Sequence, residues 1–226
     1  IKKTIEHAEN IIDKGCHGVV ILGSTGQAQL ISSKEKRELI EKLSESKKKN
    51  NFIIGTGYKS HKIEQYLEEI KPTFKYKTID SGDVDIIERV KDAADQINKD
   101  FMILYGDTIS DVDINRLIKF HDSHQNPITM TVWPLKLAYG LVDIAEDGTV
   151  ESFAEKPTLD KWINIGYFYI NKNYRDYIFN HNSFEYFLLD AVDKKSIYAY
   201  KHQGLHITVN TLSELEEAQS NIKSII

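Results

Sequence analysis

The sequence predicts an α/β protein with three layers, in which a mixed and mainly parallel sheet lies between helices in a Rossmann-like arrangement. Three runs are apolar and rich in β-branched residues, as is typical of strands buried on both faces: 17–23, 52–57 and 101–107. Helical patterns separate these runs, and that alternation favours a parallel sheet covered by helices. Strand patterns joined by tight turns in the second half of the chain indicate antiparallel pairs, which make the predicted sheet mixed.

The first elements are a helix followed by a strand, a helix and a strand. Apolar residues recur at helical spacing in residues 3–14. A buried strand at 17–23 follows, and Ser33 is the predicted N-cap of a charged helix at 34–49. The second buried strand lies at 52–57. Strand, helix and strand form a βαβ unit, whose crossover we expect to be right-handed.

The rest of the chain continues with helices and strands of ordinary length. Helices are predicted at 60–70, 83–97, 113–124, 173–179, 183–192 and 211–225. Strands are predicted at 74–80, 101–107, 127–135, 141–155, 163–172, 197–203 and 206–209. A turn at Glu146-Asp147-Gly148 divides the strand at 141–155, and Thr211 or Ser213 is the predicted cap of the last helix. Because no long Gly/Ser/Pro linker interrupts the chain, we expect residues 1–57 and 58–226 to form one compact domain.

The composition excludes several classes of protein. The 34 acidic and 29 basic residues give a formal charge of −5, whereas nucleic-acid-binding domains normally carry a basic stripe. No run approaches the roughly 18 apolar residues that span a bilayer. Cys16 is the only cysteine, which excludes an internal disulfide and suits a reducing compartment. The first residues lack the charged and then apolar pattern of a secretory signal, so we expect a cytoplasmic protein without nucleic-acid or membrane partners.

Gly106-Asp107 is the first candidate for chemistry, because it ends a predicted buried strand. Ligands of open α/β sheets bind in the crevice outside the carboxyl ends of the strands. A carboxylate at that position can hold Mg²⁺, which in turn neutralises a phosphate. The alternative is that Asp107 only caps a helix or closes a turn.

Two further groups carry polar side chains at strand ends. Lys156 can meet a phosphate as a point charge, with Glu155 holding it or binding a sugar hydroxyl, although Glu155-Lys156-Pro157 also fits a surface turn. Asn164 can read hydroxyl groups, and Gly166 would let a ligand approach the backbone. The alternative for Asn164 and Gly166 is a polar strand start with a glycine kept for packing.

Gly23, Ser24, Thr25 and Gly26 form a glycine-rich turn directly after the first predicted strand. Backbone N–H groups in such a turn can cradle an anion, although an ordinary strand-to-helix turn has the same composition. The eight histidines form no H-E-x-x-H pattern. His121 and His124 lie three residues apart on one predicted helix face, and we expect that face to be solvated.

Several stretches of the chain occur in the order typical of one enzyme family. They are FIIGTGYKSHKIEQYL (52–67), TIDSGD (78–83), LYGDTISDVDI (104–114), KFHDSH (119–124), YGLVDIAEDGTVESFAEKP (139–157), WINIGYFYIN (162–171) and TVNTLSELEEA (208–218). From about residue 51 onward the chain thereby resembles the sugar-phosphate nucleotidyltransferases, and within them the glucose-1-phosphate cytidylyltransferases. The resemblance implies the nucleotidyltransferase form of the three-layer fold.

The resemblance implies an Mg²⁺-dependent transfer. A nucleoside triphosphate and a sugar 1-phosphate would give a nucleotide-sugar and pyrophosphate, by in-line attack at the α-phosphorus. Carried over residue by residue, the resemblance makes Asp107 a metal ligand and Lys156 the group that holds the sugar phosphate. The implied substrate contacts are Gly106, Tyr139, Gly140, Glu155, Asn164 and Gly166.

Three departures from the family pattern lead us to expect reduced activity. Asn210 stands where the family has its second metal-binding Asp, and an amide is a poorer Mg²⁺ ligand than a carboxylate. The family's glycine-rich loop with an Arg is missing from the expected place. A Thr-Gly-Gly turn that would read the base is missing after Asp83.

Residues from about 5 to 57 resemble a different family, the dihydrodipicolinate synthase and N-acetylneuraminate lyase family of TIM-barrel aldolases. The resemblance lies in GCHGVVILGSTGQAQLISSKEKRELI and FIIGTG, and it makes Ser24 and Thr25 the implied binders of a pyruvate carboxylate. The chain is then a hybrid, with an aldolase-like unit completing a nucleotidyltransferase sheet and Gly23 to Gly26 standing in as the phosphate cradle.

Three functions therefore stay open at the level of sequence. The first is a sugar-phosphate nucleotidyltransferase, and the second is a non-catalytic member of the same fold that binds a sugar phosphate or a partner. The third is a fragment of a pyruvate-dependent aldolase, which has only about two of the eight βα units of a barrel. The Tyr-rich C-terminal half can form either core or an interface, so a homo-oligomer is a further expectation.

Overall fold

The computed structural model describes residues 51–71 and 75–211, together with residues 214, 216 and 218. The helices predicted at 3–14 and 34–49, the strand predicted at 17–23 and the turn of Gly23 to Gly26 lie outside the described residues. Among the described helices, none combines the length and the apolar character needed to cross a membrane.

The first described elements form a parallel pair of strands with two helices. Strand β1 (Asn51–Thr56) pairs in parallel with β2 (Lys75–Asp80), and α1 (Ser60–Ile70) connects them. Helix α2 (Ile86–Asp95) follows β2. Its N-cap is Asp85, whose Oδ1 accepts a 2.9 Å hydrogen bond from the N–H of Ile87, so α2 begins three residues later than the sequence predicted.

A four-stranded mixed sheet forms the largest unit. Its strands are β3 (Phe101–Leu104), β5 (Ile128–Lys136), β8 (Thr158–Ile170) and β9 (Ile197–Lys201), in the order β3-β8-β5-β9. The β5–β9 pair is parallel, whereas β8 is antiparallel to both β3 and β5. The prediction of a mixed sheet is therefore confirmed, but two of the three strand pairs in this sheet are antiparallel, so it is not mainly parallel.

The remaining described strands form two antiparallel two-stranded ribbons. Strand β4 (Thr108–Ser110) pairs with β10 (His206–Thr208), far along the chain. Strand β6 (Leu141–Ile144) pairs with β7 (Val150–Ala154) in a hairpin. The hairpin turn falls at the predicted place, because the N–H of Gly148 donates to the carbonyl of Ala145 over 2.9 Å.

Three more helices follow β4 in the described part of the chain. They are α3 (Ile114–Asp122), α4 (Arg175–Ile178), which follows a single 3-10 turn (Lys172–Tyr174), and α5 (Phe184–Asp193). The last predicted helix is described only at residues 214, 216 and 218, all of which are helical. Its cap is Thr211, whose Oγ1 accepts from the N–H of Glu214 while Glu214 Oε2 accepts from the N–H of Thr211, a reciprocal capping box.

Helices cover both faces of the sheet. Alternate residues of β8 belong to two different buried clusters. In the first cluster, Tyr167 and Tyr169 of β8 are joined by side chains of α1 and α3, Leu67 and Leu117. In the second cluster, Phe168 and Ile170 of β8 are joined by side chains of α2 and α5, Ile87 and Phe187. Because successive residues of a strand point to opposite faces, this division places helices on each side and confirms the predicted three layers.

Candidate active site

The β4–β10 ribbon brings together the two positions that the resemblance assigned to metal binding. Asp107 directly precedes β4, and Asn210 follows β10 by two residues. The N–H of Val209 donates a 3.0 Å hydrogen bond to the carbonyl of Asp107, one step beyond the Thr108–Thr208 pair of the ribbon. Residues about one hundred positions apart therefore lie at the same end of one ribbon.

The side chains of Asp107 and Asn210, at this end of the ribbon, are accessible to a ligand. Asp107 is half-buried, and its Oδ1 accepts a 3.3 Å hydrogen bond from the hydroxyl of Thr108. Asn210 has an exposed side chain, while Glu214 Oε2 accepts from its backbone N–H over 2.7 Å. The backbone of Asn210 is thus held by the capping box, and its side chain faces water.

Tyr105 joins Asp107 to the predicted substrate residues. Its N–H donates to the carbonyl of Gly166 over 3.0 Å, and its hydroxyl is hydrogen-bonded to the side chain of Asn164. Asn164 Oδ1 also accepts from the N–H of Gly166 over 2.9 Å. Burial, followed by the nearby charges of Asp107 and Asp85, raises the pKa of Tyr105 to about 12, so the phenol stays protonated at neutral pH.

Gly166 has a different reason to be glycine than the one the sequence indicated. Its φ is +76°, and a Cβ at this position would lie 2.4 Å from Cγ of Tyr105. The tyrosine ring therefore occupies the space that we predicted for a ligand. The sequence did not identify Tyr105 as a site residue, although it directly precedes Gly106-Asp107 in the buried strand pattern.

A cavity of about 400 Å³ lies beside Tyr105. Its lining comes from the start of α2 and from α5 and includes two carboxylates. Besides Tyr105, the lining residues are Asp85, Ile86, Ser183, Phe184, Glu185, Leu188, Leu189 and Val192. Because Tyr105 is also hydrogen-bonded to Asn164, this cavity adjoins the group of residues described above.

A second group of predicted residues lies at the base of the β6–β7 hairpin. A methyl group at Gly140 would lie 2.6 Å from the ring of Phe153 and 3.2 Å from Oε2 of Glu155, so Gly140 and Glu155 are close neighbours. Lys156 is exposed and has a φ of +46°, in the left-handed region. Tyr139 is 81% exposed. The structure thus gathers these four residues into one cluster.

The two groups are separate along the sheet. Strand β8 starts at Thr158, just after the hairpin base, where it pairs with Lys136, and it pairs with Val132 at Asn164. These partners are four residues apart on β5, which is roughly 13 Å at about 3.3 Å per residue. No hydrogen bond or ion pair among the described residues joins Lys156 to Asp107. The sequence prediction of one pocket containing all of these residues therefore remains a prediction.

The carboxyl end of β1 carries a residue that the sequence analysis did not single out. The guanidinium of Arg89 on α2 lies against Gly57, where a Cβ would be 2.9 Å from Nη2 and 2.6 Å from the carbonyl oxygen of Gly82. Arg89 Nε is buried and has no hydrogen-bond partner in the described part of the chain. A cation thus lies at the carboxyl end of β1, and no motif in the sequence marks it.

The expectation for His121 and His124 is wrong in one respect. His121 is buried, and its Nδ1 lies 2.8 Å from Oγ1 of Thr129. His124 Nε2 lies 3.0 Å from the same oxygen. The two imidazoles share one threonine hydroxyl on the adjacent β5, so His121 at the end of α3 and His124 just beyond it are packed against the sheet instead of being solvated.

No cluster of three or more His, Cys, Asp or Glu side chains with metal-ligand spacing occurs within the described residues. Asp107 and Asn210 nevertheless offer oxygen ligands at one ribbon end. Mg²⁺ binds such oxygens and usually keeps several waters, with one or two carboxylates and substrate phosphates completing its shell. The donors at this end fit that loose kind of site.

The sequence is similar to that of known nucleotidyltransferases. It is 28% identical over 192 residues to glucose-1-phosphate cytidylyltransferase of Salmonella typhi, covering 73% of this chain and 74% of that protein. It is 27% identical over 194 residues to probable glucose-1-phosphate cytidylyltransferase of Bacillus subtilis, covering 74% of this chain and 76% of that protein.

Solved structures share the fold. HddC from Yersinia pseudotuberculosis superposes with a TM-score of 0.63 at 21% identity, covering 91% of this chain and 98% of that one. A putative glucose-1-phosphate thymidylyltransferase from Bacillus anthracis superposes with a TM-score of 0.64 at 12% identity, covering 94% and 97%. These likenesses confirm the predicted α/β nucleotidyltransferase fold.

The profile of the family described as Nucleotidyl transferase matches residues 20–226. The match begins inside the segment 5–57 and includes the glycine-rich turn of Gly23 to Gly26. These comparisons give no support to an aldolase resemblance or to a hybrid chain. The structure does not describe Ser24 and Thr25, the residues that the aldolase resemblance assigned to binding. Because the match covers more than nine-tenths of the chain, this chain belongs to the nucleotidyl transferase family.

Proposed function

We propose that this protein joins a nucleoside triphosphate to a sugar 1-phosphate, giving a nucleotide-sugar and pyrophosphate. The observation that carries the proposal is the hydrogen bond from Val209 to Asp107, which holds Asp107 and Asn210 at one end of the β4–β10 ribbon. The two relatives named as glucose-1-phosphate cytidylyltransferases favour CTP and glucose 1-phosphate as the first substrates to test.

Asp107 and the amide oxygen of Asn210 would hold Mg²⁺ in this proposal. The bound ion would neutralise the triphosphate and the charge that develops at the leaving pyrophosphate. Since Asp107 is half-buried and, among the described residues, accepts one side-chain hydrogen bond, from Thr108, its second oxygen is available to a cation. Asn210 supplies a neutral ligand, so we expect a weaker metal site than two carboxylates would make.

The remaining residues would position the sugar phosphate. Asn164 presents its amide beside Tyr105, and hydrogen bonds to Tyr105 and Gly166 fix its orientation. Fixed amide groups suit the recognition of sugar hydroxyls. Gly106 would let the substrate approach the backbone next to Asp107.

The cluster at the hairpin base would bind the phosphate end of the sugar. Lys156 is the cation of this cluster, and its exposed ammonium can pair with a phosphate. Glu155 would bind a sugar hydroxyl, with Gly140 leaving room at its carboxylate and Tyr139 forming a wall. Residues Gly23 to Gly26 would cradle the triphosphate through their backbone N–H groups.

The test is thermal unfolding followed by a turnover assay. The protein is heated with CTP, UTP or dTTP and Mg²⁺, with and without glucose 1-phosphate. A triphosphate at about 100 times its dissociation constant adds roughly 2.7 kcal/mol of stability and raises the melting temperature by about 5–10 °C. Pyrophosphate release in the presence of both substrates would then support transfer. The proposal fails if no triphosphate binds at any Mg²⁺ concentration.

A non-catalytic binding role is the second candidate, and Asn210 is the observation that favours it. Replacing a carboxylate by an amide removes a charge from the metal site. Stabilisation by glucose 1-phosphate alone, without any triphosphate effect, would support this role. Such a protein would use the Asn164 and Lys156 groups to bind a sugar phosphate and would release no pyrophosphate.

The proposed setting of the reaction is the cytoplasm. The single cysteine of the sequence suits a reducing compartment, and both proposed substrates are small charged molecules. Residues 1–57 and 58–226 would act as one compact domain in this proposal, with the first part completing the sheet.

A further inference from the structure

The cavity beside Tyr105 combines an apolar wall with two carboxylates. Its volume of about 400 Å³ lies within the range of small-molecule sites. Asp85 and Glu185 supply the charges of the lining, and none of the nine lining residues that the structure describes is basic. Four of the five apolar lining residues belong to α5, and the five are Ile86, Phe184, Leu188, Leu189 and Val192.

Neither carboxylate is paired with a cationic side chain in the described part of the chain. The ion pairs within residues 51–71 and 75–211 include neither Asp85 nor Glu185. Asp85 caps α2 by accepting from the N–H of Ile87, and Glu185 lies in the first turn of α5. A helix N-terminus explains each acidic residue alone. It does not explain why carboxylates from two helices line one apolar cavity, where their like charges repel each other.

The charge of the lining selects among the small molecules that the cavity can hold. Two carboxylates repel a phosphate or any other anion. A neutral apolar molecule would fill the cavity but would give the carboxylates no partner. An ammonium group, in contrast, donates charge-assisted hydrogen bonds to a carboxylate. Aromatic rings also attract an ammonium group, and the ring centroids of Tyr105 and Phe184 lie 6.3 Å apart beside this cavity.

We propose that this cavity is a binding site for a small organic cation, an ammonium group carried on an apolar carbon skeleton. Asp85 and Glu185 bind the ammonium group, and the apolar side chains of α5 hold the skeleton. Both acidic residues are exposed, so each contributes a modest part of the affinity, as ion pairs near a surface do. A ligand of about eight non-hydrogen atoms should therefore bind with a dissociation constant on the order of 1 mM.

This site goes beyond the proposed transferase function. Asp107, Asn210 and Lys156 are not among the lining residues of the cavity. Tyr105 is the connection to them, because it lines the cavity while its hydroxyl is hydrogen-bonded to the side chain of Asn164. The cation would thus lie next to the residues proposed to position the sugar phosphate, and its binding can be measured without any triphosphate.

Titration of the whole chain with four small probes, followed by ligand-observed NMR, tests the proposal. Benzylammonium, benzyl alcohol and benzoate share one ring and differ in charge, whereas methylammonium keeps the charge and lacks the ring. Benzylammonium should bind at least about tenfold more tightly than benzyl alcohol, because two carboxylates favour the charged group. Benzoate should not bind. Methylammonium should bind at least about tenfold more weakly than benzylammonium, because it leaves the apolar wall uncovered.

Two variants locate the charges that bind the cation. Glu185→Gln and Asp85→Asn each remove one charge at nearly constant size, and asparagine remains a good cap for α2. Each variant should weaken the binding of benzylammonium about threefold and leave that of benzyl alcohol unchanged. Glu68→Gln is the matched control, because Glu68 is an exposed carboxylate on α1 that does not line the cavity. This control should bind benzylammonium like the wild type.

Several results would overturn the proposal. Equal binding of benzylammonium and benzyl alcohol would show an apolar pocket without preference for a cation. Equal weakening by Glu68→Gln and Glu185→Gln would show a general attraction of cations to a chain with a formal charge of −5. Binding that neither Asp85→Asn nor Glu185→Gln weakens, or no binding of any probe, also contradicts it. A failed turnover assay, in contrast, bears on the transferase function and leaves the cation site standing.

Discussion

Tyr105 fills the space above Gly166. A Cβ on Gly166 would lie 2.4 Å from Cγ of Tyr105, and the two residues are also joined by a 3.0 Å backbone hydrogen bond. The φ of +76° at Gly166 is a conformation that only glycine adopts at low cost. Two independent constraints, one of backbone conformation and one of space, therefore act on the same residue.

Gly166→Ala should destabilise the protein through both constraints. The left-handed backbone costs an alanine about 1 kcal/mol, and overpacking against the tyrosine ring adds about 2 kcal/mol. A total loss of about 3 kcal/mol corresponds to a fall in melting temperature of roughly 9 °C for a chain of this size. Differential scanning calorimetry measures this fall. The ring of Tyr105 should move, which a change in near-ultraviolet circular dichroism would report.

Gly82→Ala is the matched control for that prediction. Gly82 has a φ of +75°, almost identical to that of Gly166, but apart from its chain neighbours no atom of the described residues lies within 4 Å of the position of its Cβ. It should lose only the backbone contribution of about 1 kcal/mol. Equal losses in the two variants would show that the contact with Tyr105 contributes nothing.

His206 should make the stability of the protein depend on pH. Burial, followed by the nearby His202, lowers the pKa of His206 from 6.5 to about 4. Its ring lies 5.2 Å from that of Trp133, and its Nδ1 is buried without a hydrogen-bond partner in the described part of the chain. Between pH 6.5 and about 4 the unfolded chain therefore binds a proton that the folded chain does not.

Because the unfolded state binds more protons in this range, the stability that His206 contributes is fully present above pH 6.5 and is lost as the pH falls toward 4. The contribution of His206 to this loss should be about 1–2 kcal/mol between pH 7 and pH 5. Urea denaturation at the two pH values measures it, and His206→Gln should reduce the difference. His61→Gln, at an exposed position on α1, should keep the wild-type difference. An unchanged difference in His206→Gln would contradict the prediction.

Local patterns were sufficient to predict most of the described elements. The apolar runs at 52–57 and 101–107 became β1 and β3, because a strand buried on both faces needs no alternation. Helix α1 has the predicted bounds, and the hairpin turn at Gly148 follows from its turn residues. Strand ends were less accurate, since β8 begins five residues earlier than predicted and continues through the tryptophan at 162.

Contacts between distant residues were harder to predict. The approach of Asn210 to Asp107 depends on the pairing of β4 with β10, and no local pattern fixes the partner of a three-residue strand. The resemblance to a family supplied that relationship instead. The positions of Arg89 and His121 show the same limit, because a helical pattern gives the face of a residue without showing what packs against it.

The neutral side chain of Asn210 leads to the last prediction. The backbone N–H groups of Asn210 and Thr211 both donate to Oε2 of Glu214, over 2.7 and 2.8 Å, so the capping box fixes this backbone independently of the Asn210 side chain. Asn210→Asp should therefore keep its position and offer a carboxylate beside Asp107. We expect Mg²⁺ to bind at least about tenfold more tightly, which corresponds to roughly 1.4 kcal/mol.

Asn210→Asp is best assayed by pyrophosphate release from CTP and glucose 1-phosphate across a titration of Mg²⁺. The variant should reach half-maximal turnover at a lower Mg²⁺ concentration than the wild type, and its maximal turnover should rise. Asn98→Asp adds the same charge at an exposed position between α2 and β3, and it should match the wild type. Equal behaviour of the two variants would mean that residue 210 does not face the metal, whereas turnover that appears only in Asn210→Asp would mean that the amide keeps a complete site inactive.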